Sequence, residues 1–270
     1  MKVALCFSGQ PRFYKSAYPY IKHYLIDRYN IKDIFAHFWW DPKTNDQGQL
    51  ASWNLPYYNY KKDFLNEENL LQELINLYSP KKIGYDKPKV TTTTPLEILD
   101  DQKEYYIQND HLTFQEYSPE YQEWAYNHLK SIIESQYKVL QYKKEYENYY
   151  KEEYDLVIRA RYDVGFEFEF PSITEVQDKL NLNSKNYYRD WTDLWMFSSK
   201  VHNDFVEGMW KDFDRLFGVI NSPSFIDINP YKWVKLKASP EYLYWARLIE
   251  LNLFPEFDNI LETNLYILRS

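Results

Sequence analysis

The sequence predicts an α/β protein with a mostly parallel, Rossmann-like central sheet flanked by helices. Three observations point there. Short apolar runs at 2–7, 34–40 and 156–158 have the length and composition of strands buried on both faces. Amphipathic helical patterns separate them, and the longest, from 119 to about 147, leads directly into the third run, the helix-then-strand order of a parallel sheet. No internal repeat and no linker divides the 270 residues, so residues 1–270 are expected to form a single domain with a proper core.

Taken in order, Lys2-Val3-Ala4-Leu5-Cys6-Phe7 forms the first strand, and Ser8-Gly9-Gln10-Pro11-Arg12 the turn that leaves it. Gly9 permits a tight backbone and is expected to leave amide groups accessible, while Arg12 is a well-placed cation for phosphate. An ordinary strand-to-helix turn is the alternative. A helix follows from about Tyr14 to Tyr29. The second strand, 34–40, ends in aromatics before a polar loop at 41–49. His37 on it reads as a satisfied structural histidine, with ligand contact as the other reading. A helix is expected at 65–77 and a short strand at 82–85. From 86 to 118 the pattern dissolves into Pro, Thr and mixed polar residues, expected to be a surface excursion that covers a cleft.

In the long helix Ala125, Leu129, Ile132, Ile133, Val139 and Leu140 recur at three- and four-residue steps. Gln136 interrupts that stripe, either as a hydrogen-bonded core amide or as a ligand contact. Further on, the strict alternation at 166–170 predicts a strand ended by Pro171. A strand at 193–197 is entered through Asp193. A helix at 201–217 packs through Phe205, Met209, Trp210, Phe213 and Phe217. Ser239-Pro240-Glu241 opens a closing helix that runs to about 251, with a cap-type Ser and Pro in its first turn. Residues 264–268 suit a terminal strand.

The organising stretch is 154–164. After the apolar run it sets Arg159, Arg161 and Asp163 at alternate positions, which extended geometry aims to one side. Three charges do not share a dry core unless paired, since desolvation costs several kcal/mol per ion. The strand is therefore expected to end in a polar cleft, where open α/β sheets bind ligands.

Composition narrows the classes. A net charge of −8 lacks the basic footprint of a general nucleic-acid binder. The single cysteine, Cys6, allows no intrachain disulfide and suits a reduced compartment. With no signal-peptide pattern and no apolar run of about 18 residues, the expectation is a soluble, cytoplasmic protein. The 28 Tyr and 9 Trp are weak evidence for stacking, because an A+T-rich genome raises Tyr on its own; Trp39 and Trp40 serve either a ring contact or the core. There is no dinucleotide fingerprint, Walker-type loop, zinc spacing or nucleophile elbow. Asp212-Phe213-Asp214 looks like a metal-binding Asp-x-Asp, but Phe213 lies on an apolar stripe, so its neighbours swing about 100° to either side.

Ser8-Gly9-Gln10-Pro11-Arg12, then the segment 154–163, then Asp193-Leu194-Trp195-Met196-Phe197-Ser198-Ser199 occur in that order. In this the sequence resembles a group of bacterial and viral glycosyltransferases of the GT-A type, with anchor points across about residues 2–200. The resemblance implies a GT-A-like fold, a nucleoside-diphosphate-sugar donor and a glycan or surface-polysaccharide acceptor. It implies donor contacts from Ser8, Gly9, Gln10, Arg12, Arg159, Arg161 and Asp163. Arg161 stands where the first Asp of the usual Asp-x-Asp would be, leaving Asp163 as the one matching carboxylate. Two readings stay open: Asp163 holds a divalent ion (Mn²⁺ or Mg²⁺) with the diphosphate, or the arginines neutralise the diphosphate themselves. Asp193 is the expected acceptor-side base, with Glu241 second; capping a turn and serving a helix dipole are the alternatives. A non-catalytic carbohydrate-binding domain and another nucleotide-donor transferase, such as a sulfotransferase, are the rival functions.

Overall fold

The structure is a computed structural model that describes residues 2–41, 69–87, 119–166, 181–185, 190–198, 201–220, 243–244, 246–247, 250–251, 261–263 and 265–267. The elements run β1 (Val3–Gly9), α1 (Tyr14–Ile21), which continues through a π-helical stretch at Lys22–Asp27, β2 (Asp33–Trp39), α2 (Leu70–Tyr78) and β3 (Lys82–Asp86). Then come α3 (Pro119–Tyr150), β4 (Leu156–Ala160), β5 (Val164–Phe166), β6 (Asn181–Lys185) and β7 (Asp190–Ser198). The last are α4 (Val201–Lys211), α5 (Phe213–Ile220), β8 (Leu261–Thr263) and β9 (Leu265–Ile267).

Among the described residues seven strands form one sheet, in the order β3-β2-β1-β4-β7-β6-β8. The first four are parallel to one another. Beyond β4 the direction changes: β7 runs antiparallel to both β4 and β6, and β8 pairs parallel with β6. The central block is thus the parallel α/β sheet that the apolar runs predict. β5 and β9 pair separately.

Alternation along β1 and β4 sorts their side chains between two cores. Val3, Leu5 and Phe7, with Leu156, Ile158 and Ala160, face α1 and α2. Ala4, Cys6 and Val157 face α3, α4 and α5, whose Leu129, Ile133, Phe205, Met209, Phe213 and Leu216 complete that side. Both faces are dry, which is why these strands read as continuous apolar runs rather than alternating ones. Cys6 is fully buried, and burial pushes its thiol up to about 12, so it packs as a small hydrophobe.

Several expectations are corrected in detail. The helix expected at 201–217 is two helices, although hydrogen bonding carries through the break: the Asp212 amide reaches Gly208 O at 3.0 Å and its carbonyl accepts from Leu216 at 2.9 Å. Around that break Phe213 is buried, Asp214 meets Tyr126 and Lys130, and Asp212 meets Arg215 and Arg247. The two carboxylates diverge, as the helical spacing predicts. The strand expected at 193–197 begins at Asp190, so Asp193 lies inside it instead of opening it. The expected strand at 166–170 is described only to Phe166. Residues 42–68, most of the 86–118 excursion and residues 239–242 of the closing helix lie outside the described residues. Among the described residues no helix is long and apolar enough to cross a membrane.

Two glycines make opposite demands. Gly9 has φ 101°, yet a Cβ there would meet nothing within 4 Å, so conformation alone excludes a side chain. Gly218 lies within α5, where a Cβ also meets nothing. We expect Gly9→Ala to lower stability by about 1–2 kcal/mol and Gly218→Ala to raise it by about 0.5–1 kcal/mol. Thermal melting of the two variants checks both signs.

Candidate functional site

A hollow opens at the carboxyl ends of β1 and β4. Ser8, Gly9, Gln10 and Arg12 line it from the first turn, and Arg159 and Arg161 from β4 and just past it. Trp39, at the end of β2, and His128, Ser131, Ile132 and Gln136 of α3 form the opposite wall. Three lining side chains are guanidinium groups, and none of those described is a carboxylate.

The predicted alternation of Arg159, Arg161 and Asp163 does not persist. β4 ends at Ala160, and residues 162–163 turn. Tyr162 swings into the core, stacked on Phe7 with ring centroids 5.0 Å apart. The turn brings Asp163 back against Arg161. Arg161 Nε donates to Asp163 Oδ1 at 2.9 Å and Nη2 to Oδ2 at 2.7 Å, while Arg12 Nη2 lies 3.9 Å from Oδ2. Asp163 is 1% exposed. Burial pushes its carboxyl up, but the charge and hydrogen bonds of Arg161, helped by Arg12, outweigh this and hold it below the ordinary carboxylate range. Arg159 is fully buried, with its guanidinium carbon 5.9 Å from the ring centre of Tyr244.

This geometry bears on the metal expected at Asp163. Both of its oxygens are engaged by Arg161, and among the described residues no group of three His, Cys, Asp or Glu side chains stands together as a ligand set. The described donors do not fit a divalent ion, which needs several oxygen ligands, and no step below is routed through one.

The accessible amide expected at Gly9 is also corrected: its N–H donates to Ser135 Oγ at 2.9 Å, across from α3. Ser135 Oγ also lies 2.8 Å from His37 Nδ1, and His37 Nε2 lies 3.0 Å from Asp86 Oδ2. Lys138 pairs with Asp86 and, at 2.7 Å, with Glu134. Burial pulls the His37 imidazole from its ordinary 6.5 down to about 4, against the upward pull of the Asp86 hydrogen bond. A neutral ring that donates through Nε2 to Asp86 must accept at Nδ1, so Ser135 donates to it while accepting from Gly9. His37 is therefore the structural histidine of the two readings. Its chain of bonds clamps the first turn to β2, β3 and α3.

Asp193 lies on β7 two residues beyond Trp195, the partner of Ala160, so its backbone stands at the end of the sheet where Arg161 emerges. Glu241 lies outside the described residues. Trp40 packs into the core, whereas Trp39 lines the hollow and donates through Nε1 to Ser131 O at 3.1 Å. Sequence reasoning missed Ser135, Asp86 and Lys138. Their one advance signal was Ser135-Gln136, two adjacent polar residues that are both fully buried.

No protein-family model and no curated protein matches this chain. Among solved structures it is similar to the crystal structure of a glycosyltransferase involved in the glycosylation of the major capsid of PBCV-1. That likeness has 9% sequence identity and a TM-score of 0.30, and covers 97% of this chain and 81% of the other.

The clamp predicts an acid sensitivity. His37 binds its proton less readily when folded, so between pH 6.5 and about 4 the unfolded chain takes up more protons and stability falls as pH falls. Asp86, which faces it, does not supply this window, because it is already held below its ordinary 3.8. Denaturation midpoints at pH 7, 5.5 and 4.5 are expected to drop more steeply for wild type than for His37→Gln. Equal slopes would refute the clamp's titration.

Proposed function

We propose that this protein is a glycosyltransferase that takes a sugar from a nucleoside-diphosphate donor and passes it to a glycan or other surface acceptor. One observation carries the reading: Arg12, Arg159 and Arg161 line one hollow at the strand ends, in a chain whose net charge is −8. A local concentration of guanidinium against an acidic background suits a polyanionic ligand, and the planar fork suits phosphate oxygens.

The chemistry follows from where charge develops. Transfer breaks the bond between the anomeric carbon and a phosphate oxygen, through an oxocarbenium-like transition state. The electron pair of that bond stays with the diphosphate. Fixed cations beside it stabilise the leaving group at little reorganisation cost. Arg12 and Arg161 take this role, Asp163 orients Arg161, and Ser8 and Gln10 line the phosphate side. The acceptor hydroxyl attacks the anomeric carbon and gives its proton to a carboxylate, for which Asp193 is the first candidate and Glu241 the second. With Asp163 committed to Arg161, the arginines supply the charge neutralisation in this reading.

A thermal-shift panel of UDP, GDP, CMP and adenosine 3′,5′-bisphosphate, each with and without Mn²⁺, tests the class. A shift with UDP or GDP that does not require Mn²⁺ is expected. A response to adenosine bisphosphate alone would point to sulfate transfer instead. With the donor so identified, Arg161→Ala and Asp163→Ala are expected to lower turnover by about 100-fold or more, checked by nucleotide release on variants that keep the wild-type circular dichroism. Wild-type turnover in either would remove that residue from the scheme, and nucleotide binding with no turnover would favour a non-catalytic domain.

A further inference from the structure

The hollow has two unlike sides. Its floor is cationic, from Arg12, Arg159 and Arg161, whereas the wall made by α3 and Trp39 carries no Lys, Arg, Asp or Glu among the described residues that line it. Within that wall Gln136 is fully buried. Its Oε1 accepts from the Tyr244 hydroxyl at 2.7 Å, and its Nε2 has no hydrogen-bond partner. A buried donor left unpaired is costly, so its place beside the hollow suits a partner that arrives with a ligand.

We propose that Gln136 is a specificity-determining residue, whose Nε2 donates to an acceptor oxygen on the uncharged part of the ligand while the arginines hold its phosphates. This rests on the nucleoside-diphosphate-sugar reading and adds to it. The arginine floor recognises any diphosphate; the α3 wall recognises what the diphosphate carries. Gln136 lines the hollow, and the broad terminal torsion of a glutamine lets its amide adjust to an acceptor there. Carbonyl oxygens of a base and hydroxyl oxygens of a sugar share the required chemistry. An amide donor also distinguishes them from a ligand that presents only donors or apolar surface, because the unmet N–H then remains unmet.

The test uses calorimetric titration of the full chain with three probes: inorganic pyrophosphate, the nucleoside diphosphate that shifts melting, and its sugar conjugate. Gln136→Met removes the donor and also the acceptor of the Tyr244 hydroxyl. The double variant Gln136→Met/Tyr244→Phe removes both members of the buried pair, a change tolerated better than loss of one. The expected result in both is a roughly tenfold weaker Kd for the nucleotide probes, with pyrophosphate affinity kept within about twofold. A loss confined to the sugar conjugate assigns the acceptor to the glycosyl group. A loss shared by both nucleotide probes assigns it to the nucleoside. Nucleotide affinities equal to wild type overturn the proposal and give the open N–H to a bound water. An equal loss for all three probes also overturns it, because the residue then only shapes the cavity. If wild type binds pyrophosphate but no nucleotide, the functional reading itself falls, an outcome separable from the others.

Discussion

The buried pairing of Asp163 with Arg161 sets the conditions for everything at this end of the sheet. A carboxylate at 1% exposure is held ionised only because a guanidinium grips both of its oxygens and a second approaches to 3.9 Å. Removing Arg161 would strand the Asp163 charge out of water, at a cost of about 3–5 kcal/mol. The turn at 162–163 exists in this form because the pair requires it. The same turn drives Tyr162 into the core against Phe7, so the position of the cationic floor is locked to the packing of β1.

That locking explains what the sequence disclosed and what it withheld. The strands of the parallel block were legible because two dry faces demand uninterrupted apolar runs, and 2–7, 34–40 and 156–158 supply them. Arg159 and Arg161 were legible as floor residues because charge at the end of such a run has few places to go. The direction of Asp163 was not. Period-2 reasoning assumes that the strand continues, whereas β4 stops at Ala160, and the contact between Arg161 and Asp163 is made by the turn. The reversal of direction beyond β4 was hidden too, since a chain carries no local mark of which neighbour a strand will choose.

The clamp on Gly9 was illegible for a different reason. It joins Gly9 to Ser135, Ser135 to His37 and His37 to Asp86, pairs separated by 126, 98 and 49 residues. No periodicity reports on such distances. Ser135 and Gln136 could have raised the question, because a polar pair on the dry side of a helix must find partners. Their roles then divide. Ser135 spends its hydrogen bonds inside the protein on Gly9 and His37, while Gln136 spends half of its amide on Tyr244.

The division matters for how a ligand would be held. α3 meets the first turn through Ser135 and lines the hollow through His128, Ser131, Ile132 and Gln136, so one helix positions both the first turn and the wall opposite the arginines. The separation between the two sides is then set by backbone elements instead of by side-chain adjustment. A site of that kind discriminates by length as well as by charge: a ligand must place an anion on the arginines and an acceptor at the wall at once. Under the proposed transfer, binding energy from the wall would be coupled to the orientation of the bond beside the arginines. Such coupling lets contacts remote from a reacting centre lower a barrier there.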